Sequence, residues 1–185
     1  MTKRLEVKLK ANIISIDGTW RDVADACRTT IGLEAGEGDP SFVWKQKMLM
    51  CEHSPIRCIN VTGEIKDLPY AIAMHFVRHK FGIEHWVSTQ RDDRTGESRE
   101  DKSQMAPVTY RFKANLQAII SISRKRLCSS ADKTTIKAWK LFLDELYLLM
   151  PEMEGVCVPE CIYRGGCPEY KCCGFMKPKE IYFGV

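Results

Sequence analysis

His75, Arg78 and His79 stand at i, i+3 and i+4 within the run PYAIAMHFVRHK, so on a helix they share one face. Two imidazoles and a guanidinium among apolar neighbours are costly to bury unless they meet partners. A ligand carrying phosphates or an electron-rich ring would supply those partners, and so would acidic side chains elsewhere in the chain. Further on, Asn115 and Arg126 are eleven residues apart, which at about 100° per residue returns to nearly the same helical face. Ile119 and Ile122 lie between them on that line. Such a face presents an amide and a guanidinium at two depths along an apolar stripe. The alternative is a packed helix whose basic end, Arg124-Lys125-Arg126, is simply solvated and complements the helix dipole.

The tail offers a second chemistry. Of nine cysteines, five crowd the run GVCVPECIYRGGCPEYKCCGF. Cys157, Cys161, Cys167 and Cys172, with Gly165-Gly166 and prolines for tight turns, suit a tetrahedral zinc site. The spacing is not that of paired C-x2-C knuckles, and it fits an iron–sulfur cluster less well than zinc. The competing reading is a loop-rich tail of reduced or partly disulfide-linked thiols. Cys27, Cys51, Cys58 and Cys128 sit in apolar or helical stretches, where a thiol packs as a small hydrophobe. An odd total argues against a disulfide framework.

The elements that must position these groups follow from pattern. Residues 5–16 read as a strand stopped by Asp17-Gly18, and Thr19 caps a helix over 20–30. Asp39-Pro40 opens a second helix over FVWKQKMLMCE. Residues 56–65 are β-rich, and Asp67 starts the helix that carries His75. Residues 81–109 read as a polar, ligand-contacting loop, and helices are expected over 110–127 and 130–149. In that loop Trp86 is a candidate for stacking on a ring ligand, while Arg91-Asp92-Asp93-Arg94 is either surface or a phosphate contact. His85 is expected to be exposed. Trp139, Phe142, Leu146 and Leu149 repeat at helical spacing and read as packing. An α+β class results, with a central antiparallel or mixed sheet and packed helices.

With 185 residues, 44% of them hydrophobic, the chain can bury a core without disulfides. We read residues 1–150 as one domain and 151–185 as a Cys-rich C-terminal extension. A net charge of +4 suits phosphate or carboxylate ligands but falls short of a specific nucleic-acid binder. The sequence holds no twenty-residue apolar run and no signal-peptide pattern, so a cytoplasmic protein without a membrane span is the expectation.

The order of these pieces resembles the flavin-dependent thymidylate synthases. That family carries Arg-His-Arg, seven residues, then Ser; here Arg78-His79-Lys80 is followed by seven residues and Ser88. Upstream, the family's His-x-(Ser/Thr)-Pro-Phe-Glu-His element is echoed by His53-Ser54-Pro55-Ile56. Downstream, its Asn-initiated helix ending in Arg-x4-Ala-Gln is echoed by Asn115 and by Arg126 with Ala131-Asp132. The resemblance implies that Arg78, His79, Lys80, Ser54, Asn115 and Thr30 contact FAD. It also implies that His53 lies beside the flavin and the folate pocket. Ser88 would lie against the deoxyuridine nucleotide, and Arg126 would grip the uracil ring. His75, Gln90 and Arg91 fall at or beside substrate-binding positions of the family, although Gln and Arg are the family's residues where His75 and Gln90 stand. Lys80 replaces an arginine, Trp86 a glutamate and Asp132 a glutamine, and the segment before Asn115 is short; Lys102 or Arg111 is the candidate for a phosphate-binding arginine without a clear match. The implied activity is reductive methylation of dUMP to dTMP with methylenetetrahydrofolate and NADPH, in a homotetramer whose sites are shared between subunits; the alternatives are a related flavoenzyme modifying another pyrimidine nucleotide and a catalytically inactive nucleotide- or flavin-binding homologue.

Overall fold

The computed structural model describes residues 8–179. Four strands form one sheet: β1 (Lys10–Asp17), β2 (Asn60–Pro69), β3 (Ile83–Val87) and β4 (Pro107–Asn115), in the order β1-β2-β4-β3. Every neighbouring pair is antiparallel. Residues 5–7 of the first expected strand lie outside the described residues.

Among the described residues there are seven α-helices: α1 (Trp20–Thr29), α2 (Phe42–Met50), α3 (Tyr70–Phe76), α4 (Asp92–Thr95), α5 (Leu116–Arg126), α6 (Lys133–Leu149) and α7 (Glu160–Arg164). Short 3-10 turns run over Ser54–Cys58 and Pro151–Met153.

Period-two alternation decides the sheet's two faces. Val108, Tyr110, Phe112 and Ala114 of β4 are buried, while Arg111 and Lys113 between them are exposed. The helix expected over 110–127 is therefore half strand. Tyr110 to Asn115 pair with β2, and Asn115 becomes the N-cap of α5, its side chain accepting from the amide of Ala118 at 2.9 Å. Likewise, the loop expected over 81–109 contains β3, whose register against β4 runs from Ile83↔Ala114 to Val87↔Tyr110. Asp67 does not open a helix. It sits at φ 58° where the β2–β4 register shifts between Ile65 and Leu68, and α3 starts only after Pro69. An Asp tolerates the left-handed region that such a bulge demands.

Local signals read correctly elsewhere. Thr19 and Asp22 form the reciprocal capping box of α1. Ser41, rather than Asp39, caps α2. Asp132 caps α6, whose Trp139, Phe142 and Leu146 are fully buried, while Leu149 at the helix end is exposed.

The inner sheet face and α6 make an aromatic core. Phe112 meets Phe142 edge-on at 4.9 Å and Trp139 at 5.8 Å between ring centroids, and Phe76 stacks on Tyr110 at 5.4 Å. Trp139 Nε1 donates to Ser123 Oγ at 2.8 Å, which ties α6 to α5 and satisfies a buried donor. Met153, Val156 and Cys157 join this core, and buried Glu152 accepts from Trp20 Nε1.

Close packing is tightest at Gly63. A Cβ there would stand 2.7 Å from atoms of both the Phe112 and Phe142 rings. Gly63→Ala is therefore expected to cost about 1–3 kcal/mol through overpacking, measured as a lowered denaturation midpoint; an unchanged midpoint would contradict this packing.

Candidate functional site

The turn after α3 delivers the basic triplet. The helix ends at Phe76 with Val77 as its cap, so only His75 of the expected trio is helical, and the three do not share a helix face. His75 faces α6 instead, its Nδ1 2.7 Å from Thr135 Oγ1. Arg78, His79 and Lys80 follow in the turn and line a cavity of about 510 Å³ with Arg57, Gly82, Asn115 and the first turns of α5.

Two features hold that cavity in shape. The amide of Asn115 donates to the carbonyl of Gly82 at 2.9 Å, clamping the triplet's turn to the start of α5. Gly82 has φ +70°, and a Cβ there would fall 2.6 Å from Asn115 Nδ2, so only glycine fits. The α5 N-terminus faces the same space through Asn115, Gln117 and Ala118, adding its partial positive charge.

The three basic residues that end α5 have separate fates. Arg124 pairs with Glu52, which also accepts from Gln117, and its guanidinium lies 3.5 Å from the Tyr163 ring centroid. Burial alone would raise the Glu52 carboxyl, yet the Arg124 and Gln117 donors together hold it below its ordinary value. Lys125 reaches Glu169 at 3.3 Å and Glu160 at 3.7 Å. Arg126 turns the other way and donates from Nε to His79 Nε2 at 2.9 Å.

That contact orders a small network. His79 Nε2 accepts, so the ring's proton sits on Nδ1. The His79 carbonyl accepts from His85 Nε2 at 2.7 Å, which leaves His85 Nδ1 to accept from the Tyr110 hydroxyl at 2.8 Å. His85 is thus half-buried and engaged, not exposed. Burial, then the Arg126 charge, then His85 lower the pKa of His79 to about 4. Burial, and next the neighbouring Arg78, lower that of Arg126. Burial likewise raises that of Tyr110. Among the described residues no carboxylate is within ion-pair distance of Arg57, Arg78, Lys80 or Arg126. Arg57, Arg78 and Lys80 line the cavity itself, and Arg126 adjoins it through His79.

Other sequence candidates lie elsewhere in the chain. Ser88 directly follows β3, its hydroxyl bonded to both the carbonyl (3.2 Å) and the amide (3.1 Å) of Thr109. With Trp86, Glu64, Arg111 and Lys113 it lines a separate open cavity of about 580 Å³ on the uncovered sheet face. Arg111 is committed to Glu64 at 2.7 Å and Lys102 to Glu97 at 3.2 Å. Arg91 pairs through both Nε and Nη2 with Asp93, each at 2.9 Å, and Gln90 precedes it, half-buried. Thr30, exposed at the end of α1, bonds the carbonyl of Cys27 at 2.7 Å. His53 and Ser54 are exposed at the start of the first 3-10 turn, with the Ser54 carbonyl accepting from Arg57 Nε at 3.1 Å.

Sequence reasoning missed Arg57, His85 and Tyr110. The last two were legible in the alternation of β3 and β4, whereas Arg57 carries no local signal beyond following Ser54-Pro55-Ile56. The zinc quartet does not form. Among the described residues no group of three or more His, Cys, Asp or Glu side chains is placed to hold one metal ion. Cys157 is a core thiol beside Ser123 and Tyr147, pushed up to about 11 chiefly by burial. The Cys172 thiol bonds the carbonyl of Met176 at 3.1 Å.

Neither a protein-family profile nor a curated protein sequence matches the chain. Solved structures do. Thymidylate Synthase X (ThyX) from Helicobacter pylori, solved with FAD and dUMP, matches with a TM-score of 0.64 at 14% identity, over 81% of this chain and 99% of that one. A second complex of that enzyme with FAD and dUMP gives 0.64 at 12% identity, over 80% and 99%. PolB, a UMP/dUMP methylase from Streptomyces cacaoi bound with 5-Br dUMP, gives 0.64 at 11% identity, over 80% and 94%. The chain has the α+β fold of flavin-dependent thymidylate synthases and related dUMP methylases. Among the described residues no helix is long and apolar enough to cross a membrane.

The depressed His79 makes stability depend on pH. Its pKa is about 4 in the fold, against about 6.5 unfolded. The unfolded chain therefore binds more protons between those values, and stability present above pH ~6.5 is lost as pH falls to ~4. His79→Gln, which still accepts from Arg126, is expected to flatten that loss by on the order of 1–2 kcal/mol after allowance for partial exposure. Chemical denaturation of both proteins across this range checks it; parallel curves would remove His79 as the cause.

Proposed function

We propose that this chain is a flavin-dependent thymidylate synthase, converting dUMP to dTMP with methylenetetrahydrofolate as carbon donor and NADPH as reductant. One observation carries the reading: three cations without an ion-pair partner among the described residues, an amide and a helix N-terminus line one cavity, and Arg126 adjoins it through His79, in a fold shared with enzymes solved with FAD and dUMP. A cavity with three cations and no carboxylate in its lining fits a ligand that carries phosphates, as FAD does. When bound, FAD supplies the hydride and methylenetetrahydrofolate the carbon.

The chain's own residues bind and polarise. Arg57, Arg78 and Lys80 hold phosphate charge. Lys80 acts as a point charge rather than a planar fork, so it holds without fixing orientation. Asn115 uses its oxygen to cap α5 and keeps its Nδ2 for a ligand acceptor. His53, Ser54 and Thr30 contribute at the edge of the flavin site. Arg126 is the catalytic residue: its Nε is fixed by His79, and its terminal nitrogens have no hydrogen-bond partner among the described residues. Set against the O2–N3 edge of uracil, they stabilise negative charge on the ring and so favour attack from C5. Depression of the guanidinium's pKa by burial and by Arg78 marks a site that gains from an anionic guest.

Ser88, Gln90, Arg91 and His75 complete the substrate side in this proposal. Ser88 and Trp86 lie on the open sheet face outside the Arg78 cavity, which supports assembly of each site from more than one copy in a cytoplasmic homotetramer. A second reading, methylation of UMP or another pyrimidine nucleotide, is favoured by the equal likeness to PolB and by the engagement of Arg91 with Asp93. In both readings residues 1–150 form the catalytic domain and 151–185 an extension.

Tritium release from C5-labelled dUMP, with FAD, NADPH and methylenetetrahydrofolate present, tests the proposal. Release matched by dTMP formation is expected, and Arg126→Lys lowers kcat/KM by about 10²–10³. A flavin-loaded preparation that releases nothing sinks it, and a methylated product from UMP but not from dUMP selects the second reading.

A further inference from the structure

Four cysteines line one small enclosed cavity at the far end of α5, away from the Arg78 site. Cys128 follows that helix, Cys161 lies on α7, and Cys167 and Cys173 belong to the loop beyond. The cavity measures about 110 Å³, several times what one water needs. Its two carboxylates are already engaged: Glu160 with Arg164 at 2.5 Å and with Lys125, and Glu169 with Lys125 at 3.3 Å. Thiols are therefore the uncommitted ligands in the lining.

The set differs from the one that spacing suggested. Cys157 is packed in the core and the Cys172 thiol bonds the Met176 carbonyl, whereas Cys128 comes from a different part of the chain. Cys161 and Cys167 are buried, and the Ser129 hydroxyl donates to Cys173 Sγ at 3.0 Å, a bond that favours sulfur as an electron-rich acceptor. None of the nine cysteines is in a disulfide. Among the described residues, 154–179 have only a five-residue helix and one isolated bridge, Cys167↔Pro178, to organise them. A metal group would add a cross-link to a segment with so little regular structure.

A single ion does not match the geometry, because no three ligand side chains are placed to hold one. Four thiols set around a void suit a polynuclear group, whose ligands bind different metal atoms at its corners. We propose that Cys128, Cys161, Cys167 and Cys173 hold an iron–sulfur cluster that pins the tail to the end of α5. Cys128 is two residues from Arg126, so the cluster also braces the helix end that aims that side chain.

The full chain, purified without oxygen and reconstituted with ferrous iron and sulfide, is assayed for iron and acid-labile sulfide. A flavin contributes neither. Equal amounts of both are expected, about two or four of each per chain. Cys161→Ser and Cys167→Ser should lose most of both, and so should Cys128→Ser and Cys173→Ser, whose positions are exposed enough to leave folding intact by circular dichroism. Cys172→Ser and Cys58→Ser should keep them. Zinc without sulfide, failure to take up iron and sulfide, or equal loss from Cys172→Ser and Cys173→Ser would each overturn the assignment.

Discussion

Arg126 donates to an imidazole where a carboxylate would be the ordinary partner, and much of the site follows from that choice. An acceptor nitrogen cannot neutralise a guanidinium. The charge on Arg126 therefore stays available, while its direction is fixed. His79 can accept only while neutral, and its surroundings enforce neutrality through burial and through the very cation it orients. The guanidinium thus helps to keep its own acceptor neutral.

Arg78 beside the half-buried Arg126 is unfavourable to both charges, and the backbone around them is firmly held. Asn115 pins the triplet's turn through Gly82, caps α5, and is itself the last residue of β4. The His85–Tyr110 bond ties the same turn to the sheet, and Tyr110 is locked between Phe76 and Phe112 in the aromatic core. The backbone that carries the triplet is thus tied to the aromatic core. The mutual repulsion of Arg78 and Arg126 is relieved by an anion. The paired Arg124 and Lys125 show the contrast, since their counter-charges make them part of the scaffold.

Much of this was legible in the residues. Of the expected site residues, Arg78-His79-Lys80 and Asn115 do line one cavity, and the capping box at Thr19 and the long α6 read directly from local signals. What failed was the boundary between periods. In YRFKANLQAII the strand's alternation passes into a helix without a break, and asparagine at the junction is both a strand end and an N-cap. Reading that run as helix displaced Asn115 by one role but kept it at the site. His75 misled for a similar reason: helical spacing predicts a shared face only while the helix lasts, and α3 stops at Phe76. The cysteine cavity was hidden because Cys128 is far from the others in sequence, and no spacing rule reaches across a seventeen-residue helix.

The claim on which the account rests is that uncompensated positive charge in one cavity recruits a phosphate-bearing flavin. Equilibrium binding of FAD at a series of salt concentrations measures it most directly. Affinity should fall steadily with rising salt, and Arg78→Ala should both weaken binding and lessen that dependence. Binding indifferent to salt, or equal salt dependence in wild type and Arg78→Ala, would contradict it.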